Sequence, residues 1–407
     1  MREGWSRTTI GAAADVVGGG TPRTSEPSYW GGPIPWITPT EVVAAEGAAI
    51  TTTTRTLTEL GLQKSGARLL PEASILVTSR ATVGAVAMAG CQMATNQGFA
   101  ALIAGPLLVP KFLMLWSQAN AGEFRMRAGG STFPEISRSV VREIPIDIPP
   151  LDEQRRIVDI IGSLDATIAA ADQAIAKATR ARQALLLELI AGRRGSKSGP
   201  EGRERWSSAQ LREVAALAIV REEVDASLDY LFAGVLNEGR GVFLRERVSG
   251  SSTSYRYLHV LEADALVMRK LTAWEGPVAV VGPACAGAVV SPEFPTFRLN
   301  TDRIDPLYMG LVCQQPWFWT ELRLRATGTV SRRRRVHPDG LLDITVPLPP
   351  LDEQRRIVGV ISTLDEDITA MQTTAAAARI ARSGMLTELL SGTHEIPPHY
   401  DRLLDAA

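Results

Sequence analysis

A ten-residue segment of the chain occurs twice, and this repeat constrains the fold more than any other feature. The segment from Pro149 to Val158 (PPLDEQRRIV) recurs letter for letter from Pro349 to Val358, an offset of 200 residues. The same offset aligns the residues that follow, without a gap, as far as Gly192 and Gly392. An identity of this length followed by a long stretch in register indicates a tandem duplication.

Each copy of the repeat predicts one long helix. Two prolines end the preceding extended segment, and the second proline suits the first helical turn. The acidic pairs Asp152–Glu153 and Asp352–Glu353 stand near the positive end of the helix dipole. They also resemble the paired carboxylates of an acid–base catalyst, but helix capping explains them better because they repeat with the helix. Gly192 and Gly392 occupy the position of a left-handed C-terminal cap.

Apolar residues in each predicted helix alternate at spacings of four and three, which is typical of a coiled-coil seam. Residues 193–205 are rich in Gly, Ser and charge, which indicates a linker after the first helix. In an antiparallel pair the end of the first helix lies beside the start of the second, so the domain between them only has to begin and end at one place. We therefore predict an antiparallel pair, since a parallel pair would require the chain to return along a whole helix. The predicted seam consists of Ile157, Ile161, Leu164, Ile168, Ala171, Ile175, Ala178, Arg182, Leu185 and Leu189, and of Ile357, Ile361, Leu364, Ile368, Met371, Ala375, Ala378, Arg382, Met385 and Leu389.

Arg182 and Arg382 interrupt the two seams at matching places. A polar residue within a seam can fix the register of a coiled coil. Alternatively, each arginine simply marks the exposed end of the apolar stripe. The pattern alone leaves both interpretations open.

The segments before the two helices have similar lengths but unlike sequences. Both contain short β-type runs separated by Gly, Pro and Asn, such as Ser74–Thr78 and Val83–Met88 in the first and Pro277–Val281 in the second. We expect an α+β fold class, with two mixed α/β domains separated by two long helices and related by a pseudo-twofold duplication. The predicted boundaries are residues 1–148 and 206–348 for the domains, 149–192 and 349–392 for the helices, 193–205 for the linker and 393–407 for a tail.

Composition limits the setting in which the chain works. The three cysteines, Cys91, Cys285 and Cys313, form no CxxC pair, so a reducing cytoplasm is expected. No apolar run approaches the roughly 18 residues of a membrane span, and the N-terminus lacks the apolar core of a signal peptide. The net charge of −1 is lower than is usual for a DNA-binding domain that acts alone.

Three groups of motifs resemble a known family, the specificity (S) subunits of type I restriction–modification systems. The first is the helix start Leu-Asp-Glu-Gln-Arg-Arg-Ile, present twice. The second is the entry to the first domain, Gly18 to Pro22, Tyr29 to Gly32 and Ile34 to Thr38. The third is Leu76 to Gly84 followed by Thr95 to Phe99, whereas the second domain departs from the entry and from both of these runs.

The resemblance implies that the chain is non-catalytic and binds double-stranded DNA. In this family, two target-recognition domains bind the two halves of a split, asymmetric DNA sequence. The paired helices set the spacing between the halves and dock two methyltransferase (M) subunits, which use S-adenosylmethionine to methylate adenine N6. Restriction (R) subunits add ATP- and Mg-dependent cleavage. The chain itself is expected to hold no cofactor and no metal.

The candidate DNA-binding residues follow from the chemistry of base and phosphate recognition. Arginine pairs with phosphate or with guanine O6 and N7, and Asn or Gln pairs with adenine. For each candidate the alternative is a turn residue or a solvated basic loop. The candidates in the first domain are Thr78, Ser79, Arg80, Thr95, Asn96, Gln97, Arg125, Arg127, Ser131 and Thr132. Those in the second are Arg269, Lys270, Arg323, Arg325, Arg332, Arg333, Arg334 and Arg335.

Other motifs carry less functional weight. Trp30, Trp36 and Trp274 are expected to be core or loop anchors rather than platforms for stacked bases. The sequence has no phosphate loop ending in Lys-Ser/Thr, no Asn/Asp-Pro-Pro-Tyr/Phe run, and no metal-ligand spacing among its four histidines. A self-contained DNA-modifying enzyme and a coiled-coil assembly protein without a nucleic-acid function remain the alternatives. Methyl transfer or cleavage by the chain alone would favour the first, and absence of salt-dependent DNA binding would favour the second.

Overall fold

The structure is a computed structural model, and it describes residues 2–45, 47–80, 82–130, 134–191, 206–328, 334–397 and 400. Contacts divide the chain into two compact units. Unit 1 consists of Met1–Asp172 and Thr373–Ala407, and unit 2 consists of Gln173–Gln372. Each unit therefore contains one of the unlike domains together with one half of each repeated helix.

The first domain is a mixed α+β structure, as predicted. Its strands are β1 (Ser6–Thr9), β2 (Ala14–Val17), β3 (Trp30–Ile37), β4 (Ala49–Ile50), β5 (Arg55–Leu57), β6 (Leu69–Leu70), β7 (Ile75–Thr78), β8 (Val86–Ala89), β9 (Met93–Thr95), β10 (Phe99–Ala104) and β11 (Pro145–Ile148). Its helices are α1 (Ile10–Ala13), α2 (Pro39–Ala44), α3 (Glu59–Gln63), α4 (Pro110–Ala119), α5 (Ala121–Met126) and α6 (Arg138–Arg142). The first repeated helix, α7, spans Leu151–Ala191.

The second domain has a similar order of elements. Its strands are β12 (Ser207–Gln210), β13 (Ala215–Leu217), β14 (Val220–Glu223), β15 (Asp229–Val235), β16 (Val242–Ser249), β17 (Tyr257–Val260), β18 (Leu266–Met268), β19 (Val278–Val280), β20 (Val289–Val290), β21 (Thr296–Leu299) and β22 (Thr345–Leu348). Its helices are α8 (Pro306–Cys313), α9 (Pro316–Arg325) and α10 (Pro338–Leu342), and the second repeated helix, α11, spans Leu351–Ser391.

The two domains share a sheet plan despite their unlike sequences. In the first domain a sheet has the strand order β2-β10-β7-β8-β4, and in the second a sheet has the order β13-β21-β18-β19. A two-stranded ribbon joins the beginning and end of each domain, β1 with β11 and β12 with β22. Each domain adds a further sheet of its own, β5-β3-β9-β6 in the first and β14-β17-β20-β15-β16 in the second. The shared sheet thus gives a common scaffold, and the additional sheets distinguish the domains.

One predicted strand begins later than the sequence pattern suggested. The apolar run from Val83 to Met88 predicted a continuous strand, but β8 begins at Val86. Gly84 has φ of +84°, and Thr78 Oγ1 accepts a hydrogen bond from the Ala85 amide at 2.9 Å. These contacts hold residues 82–85 in a turn, because a threonine hydroxyl can replace the backbone ladder.

The ends of the repeated helices follow the expected chemistry. The Pro150 and Pro350 carbonyls accept the Gln154 and Gln354 amides at 3.0 Å, so each proline directly precedes the first helical residue. Gly392 has φ of +70°, the left-handed conformation expected of a C-terminal cap. Gly192 lies outside the described residues.

The carboxylates at the helix starts are engaged in structural contacts. Glu153 accepts from Arg2 Nη1 at 2.6 Å and from Trp5 Nε1 at 3.1 Å, and Glu353 pairs with Arg356 at 2.6 Å. These contacts favour helix-end stabilisation over acid–base catalysis, because the carboxylates bond to the protein itself.

The predicted seam lies on the protected face of both helices. Its members are buried or partly buried while the residues between them are mostly exposed. Met385 was wrongly included, since it is 40% exposed and the neighbouring Leu386 is buried in its place. Likewise Leu186 and Ile190 are more deeply buried than the predicted Leu185 and Leu189. The buried face therefore shifts by one residue near the helix ends, because an α-helix has 3.6 residues per turn and drifts from a repeat of 3.5.

Within each unit the two helix segments run in opposite directions. In unit 1, Ile157 and Ile161 of α7 belong to the same buried cluster as Leu389 and Leu386 of α11. In unit 2, Leu186 and Ile190 of α7 cluster with Ile361 and Ile357 of α11. Asp165 pairs with Arg382 and Asp172 pairs with Arg379, so ascending positions on α7 meet descending positions on α11, which confirms the antiparallel pairing.

Paired arginines and aspartates join the helices at equivalent places in the two copies. Arg182 Nε and Nη2 each donate to the Asp365 carboxylate at 2.8 Å in unit 2. Arg382 Nε and Nη2 donate to the Asp165 carboxylate at 2.7 and 2.9 Å in unit 1. Bidentate pairs of this kind require one relative placement of the two groups. Both seam arginines therefore fix the register and do not merely end the stripe.

A repeated glutamine ties each helix to its own domain. Gln154 Oε1 accepts from the Val109 amide at 2.8 Å, and its Nε2 donates to the carbonyls of Leu107 and Pro149 at 2.8 and 2.9 Å. Gln354 repeats this pattern with the Asp305 amide and the carbonyls of Arg303 and Pro349. Both side chains are fully buried. The glutamine thus satisfies backbone groups of the loop before α4 or α8, which would otherwise be buried without partners.

Replacing Gln154 by Ala should destabilise unit 1. The change removes three hydrogen bonds and leaves buried backbone groups unsatisfied, which predicts a loss of about 3 kcal/mol in unfolding free energy. Thermal and urea denaturation measure this loss. Gln183→Ala is the matched control, because Gln183 is exposed on the same helix. Equal effects of the two substitutions would contradict an anchoring role for Gln154.

Candidate functional site

An open polar cleft of about 520 Å³ in the first domain brings together three of the sequence motifs, Gly18 to Pro22, Leu76 to Gly84 and Thr95 to Phe99. Glycines of the domain entry, the end of β7, the loop before β10 and the start of α6 meet there. The cleft is lined by Gly18, Gly19, Ser79, Arg80, Gln97, Phe99, Glu135, Ile136, Ser137, Arg138, Ser139 and Arg142. Segments that are distant in the sequence therefore form one site.

Glycine is required at the domain entry because the backbone there lies close to the backbone of the loop before β10. The Gly20 amide donates to the Thr95 carbonyl at 2.9 Å. A Cβ atom on Gly19 would overlap with the Thr95 hydroxyl and with the carbonyls of Thr95 and Asn96. Any larger residue would thus separate the entry segment from the loop before β10, because glycine alone allows such an approach.

Two predicted DNA-binding residues are buried and cannot reach a ligand in the cleft. Thr78 is fully buried, and its hydroxyl bonds to the Thr82 carbonyl and the Ala85 amide. Thr95 is 1% exposed and its Oγ1 has no hydrogen-bond partner within the described part of the chain. Prediction of these threonines as contact residues was wrong, because both side chains are buried.

The other residues of the two motifs face the cleft or support it. Arg80 and Gln97 belong to its lining, and so does Ser79, although the Ser79 residue is only 4% exposed. The Asn96 carboxamide instead accepts from the Gly98 amide at 2.8 Å, which is the turn-forming role of asparagine. Sequence motifs therefore located the cleft, although single residues within each motif differ in their roles.

Sequence reasoning missed several residues that follow Pro134. Glu135, Ser137, Arg138 and Arg142 complete one wall of the cleft. Arg80 Nε donates to Glu135 Oε1 at 2.8 Å. The two arginines of α6, one turn apart, were the available signal, but they carried no known motif. With Arg80 they give the cleft three guanidinium groups against one carboxylate.

Two further candidates in the first domain, Arg125 and Arg127, are not part of the cleft lining. Both are exposed at the end of α5, and Arg127 pairs with Glu123 at 2.6 Å. The last two candidates, Ser131 and Thr132, lie outside the described residues.

In each domain two short β-bridges hold one loop, the loop before α6 in the first domain and the loop before α10 in the second. In the first domain Glu135 bridges both Gly129 and Arg80. In the second, Arg335 bridges both Thr327 and Leu271. The Ile136 and Val336 amides then donate to the carbonyls of Ser79 and Lys270, at 3.0 and 3.2 Å. These contacts identify Lys270 and Arg335 as the positional counterparts of Ser79 and Glu135.

The predicted basic residues of the second domain divide into two groups. Arg269 donates to Asn237, Thr272 and Glu275 and is thus part of an internal network. Arg334 donates to the Ala326 carbonyl at 2.7 Å, and Arg325 pairs with Glu321. These three arginines mainly hold their own loops and helix in place.

A second group remains available to a ligand. Lys270 is half-buried, and Arg323 and Arg335 are exposed. Arg332 and Arg333 lie outside the described residues. The second domain therefore presents basic side chains at the position that corresponds to the cleft of the first.

The tryptophans are anchors, as expected. Trp36 is buried and its Nε1 donates to the Gly20 carbonyl at 3.0 Å. Trp30 meets Trp36 edge to face, and the Arg55 guanidinium lies 3.4 Å from the Trp30 ring centroid. Trp274 packs against the core of the second domain. None of the three lines the cleft of the first domain.

Buried titratable groups lie away from the cleft. Burial holds the pKa of His259 below its usual range, against the opposing effect of its contact with the Phe294 carbonyl. Burial raises the pKa of the Cys313 thiol. Among the described residues no cluster of His, Cys, Asp or Glu is arranged to hold a metal ion. In the same part of the chain, no helix combines the length and apolarity needed to span a membrane.

These features define a class of duplicated proteins. Two unlike α+β domains are each followed by a copy of the same long helix, and the two copies pair in antiparallel orientation. Comparison with known proteins shows what the chain is similar to. Residues 2–180 match the model described as "Type I restriction modification DNA specificity domain". The MjaIX type I restriction enzyme specificity subunit of Methanocaldococcus jannaschii is 37% identical over 163 residues, which are 40% of this chain and 38% of that relative.

Solved structures share the fold over nearly the whole chain. A chain from a type I R-M system complex has a TM-score of 0.63 at 16% identity, covering 96% of this chain and 98% of the other. The HsdS subunit from Thermoanaerobacter tengcongensis has a TM-score of 0.52 at 17% identity, with the same coverage of 96% and 98%. The chain is therefore similar to type I restriction enzyme specificity subunits: residues 2–180 match the family model, and the fold is like that of the solved HsdS subunit.

Replacing Gly19 by Ala should destabilise unit 1 and distort the cleft. The new methyl group would overlap with backbone oxygens that cannot rotate away. Gly122→Ala is the matched control, because nothing lies within 4 Å of its added Cβ. Since alanine is favoured over glycine within a helix by about 1 kcal/mol, the control should be neutral or slightly stabilising. Thermal denaturation compares the two, and an unchanged Gly19→Ala variant would contradict the proposed packing.

Proposed function

We propose that the chain is the non-catalytic DNA-specificity subunit of a type I restriction–modification complex. The observation that carries the proposal is the cleft of the first domain, in which family motifs and the guanidinium groups of Arg80, Arg138 and Arg142 meet. Guanidinium groups bind phosphates and guanine edges, and serine and glutamine side chains bond to phosphates or bases. The cleft therefore suits double-stranded DNA better than a small apolar ligand.

Each domain recognises a different half of a bipartite, asymmetric target. The shared sheet supports the same mode of binding in both domains, while the corresponding side chains differ in chemistry, as at Ser79 and Lys270. Unlike contact residues on a common scaffold favour unlike base sequences, because base identity is recognised through side-chain hydrogen bonds. A palindromic target would require like domains.

The helix pair sets the spacing of the two half-sites and docks two M subunits. Bidentate Arg–Asp pairs in both units fix one register, and the residues outside the seam are mostly exposed along both helices. An exposed and duplicated surface suits two copies of one partner. M subunits then supply S-adenosylmethionine-dependent methylation of adenine N6, and R subunits supply ATP- and Mg-dependent cleavage. The specificity subunit works in the cytoplasm and holds no cofactor of its own.

Arg138→Ala should weaken DNA binding by the complex of this chain with its M subunits. Loss of one phosphate contact reduces the slope of log K against log salt by about 0.9, because fewer counterions are released. Titration of labelled target DNA at several salt concentrations measures both quantities. Arg7→Ala is the control, since Arg7 pairs with Asp147 on the β1–β11 ribbon and is not part of the cleft lining. Unchanged affinity and slope in Arg138→Ala would contradict DNA binding in the cleft.

Lengthening both helices by one heptad should lengthen the spacer in the DNA target. Insertions after Ala176 and after Ala376 keep the seam and leave Asp165–Arg382 and Arg182–Asp365 paired. Seven residues add roughly 10 Å, which corresponds to about three base pairs of DNA. Sequencing of methylated sites in cells carrying the lengthened subunit measures the spacer. A complex that still methylates targets with the original spacer would show that the helices do not set it.

A further inference from the structure

One position on the shared scaffold carries opposite charges in the two domains. Glu135 and Arg335 occupy it, as their matching β-bridges show. The Glu135 amide and carbonyl both bond to Gly129 at 2.9 Å, and those of Arg335 bond to Thr327 at 2.9 Å. The backbone is therefore held alike in both domains, and only the side chain differs.

The charge of the ion-pair partner is also reversed between the two domains. Glu135 pairs with Arg80 through Oε1 at 2.8 Å, and both side chains are about half exposed. Arg335 Nη2 lies 3.5 Å from Glu293 Oε2, and the Arg335 side chain is 56% exposed. That Glu293 oxygen is buried and has no hydrogen bond within the described residues. Neither pair is closed off from a ligand, because within the described part of the chain no hydrogen bond occupies Glu135 Oε2 and Arg335 makes none with Glu293.

A carboxylate in a DNA-binding cleft is unfavourable beside phosphates, because like charges repel. It becomes favourable where the ligand presents a hydrogen-bond donor. In the major groove such donors are the exocyclic amino groups, N4 of cytosine and N6 of adenine, whereas guanine presents the acceptors O6 and N7. An arginine at the same position suits guanine, for the opposite reason.

We propose that this shared position recognises one base in each half-site. Glu135 accepts a hydrogen bond from an exocyclic amino group of cytosine or adenine, with Arg80 orienting its carboxylate. Arg335 donates to the acceptor edge of guanine. The inference rests on the proposed function and deepens it, since it assigns opposite base chemistry to equivalent positions of the two domains.

The test uses the complex of the full chain with its M subunits. Glu135→Gln and Arg335→Ala are compared with wild type on a DNA library that is randomised in both half-sites and the spacer. S-adenosylmethionine is supplied, and methylated molecules are sequenced. Asp147→Asn and Arg212→Ala are matched controls, because their ion pairs, with Arg7 and Asp343, lie outside the cleft lining of the first domain and away from the shared bridge.

We expect Glu135→Gln to relax the preference at one position of the first half-site by tenfold or more, on the order of a lost base contact. The second half-site should not change. Arg335→Ala should relax one guanine position of the second half-site only. The controls should leave both half-sites as in wild type.

Unaltered half-sites, or a uniform loss of methylation at every position, would overturn the inference and assign both pairs to loop structure. Glu135→Asp provides a second variant that keeps the charge, and thermal denaturation shows whether each variant is folded. Wild-type complex that methylates without any sequence preference would instead refute the proposed function itself. The two failures are thus distinguishable.

Discussion

The junction between each domain and its helix depends on one buried side chain. Gln154 and Gln354 each satisfy an amide and two carbonyls that the fold takes out of water. A buried backbone group without a partner is costly, so these bonds hold the helix start against the loop before α4 or α8. Because a helix is stiff, fixing its first turn also fixes the direction in which the rest of it leaves the domain.

The antiparallel pairing then depends on the duplication itself. Each copy of the helix carries an Asp and an Arg 17 positions apart. When the helices run in opposite directions, the Asp of each copy meets the Arg of the other. One sequence motif thus stabilises the pair twice. A third pair, Arg379 with Asp172, has Thr179 and Gln372 at its counterpart positions and so distinguishes the two copies.

The candidate site could be located from the sequence, but its residues could be assigned only in part. The motifs that contain Ser79, Arg80 and Gln97 do converge on the cleft. Thr78 and Thr95 lie one or two residues away and are buried, because both faces of β7 and β9 are covered. Glu135 and Arg138 contribute a wall of the cleft without any recognisable motif. The β-bridge between Glu135 and Arg80 and the hydrogen bond from the Ile136 amide to the Ser79 carbonyl place them there.

By itself the sequence determined the duplication, the two helices, their antiparallel seam and the boundary between constant and divergent segments. These features are periodic or repeated, and periodicity reports which face of a helix is buried. Tertiary structure alone decided the shared sheet of two domains with unlike sequences, the anchoring role of the repeated glutamine and the equivalence of Glu135 with Arg335. Such relations depend on contacts between residues far apart in the chain, which leave no local pattern.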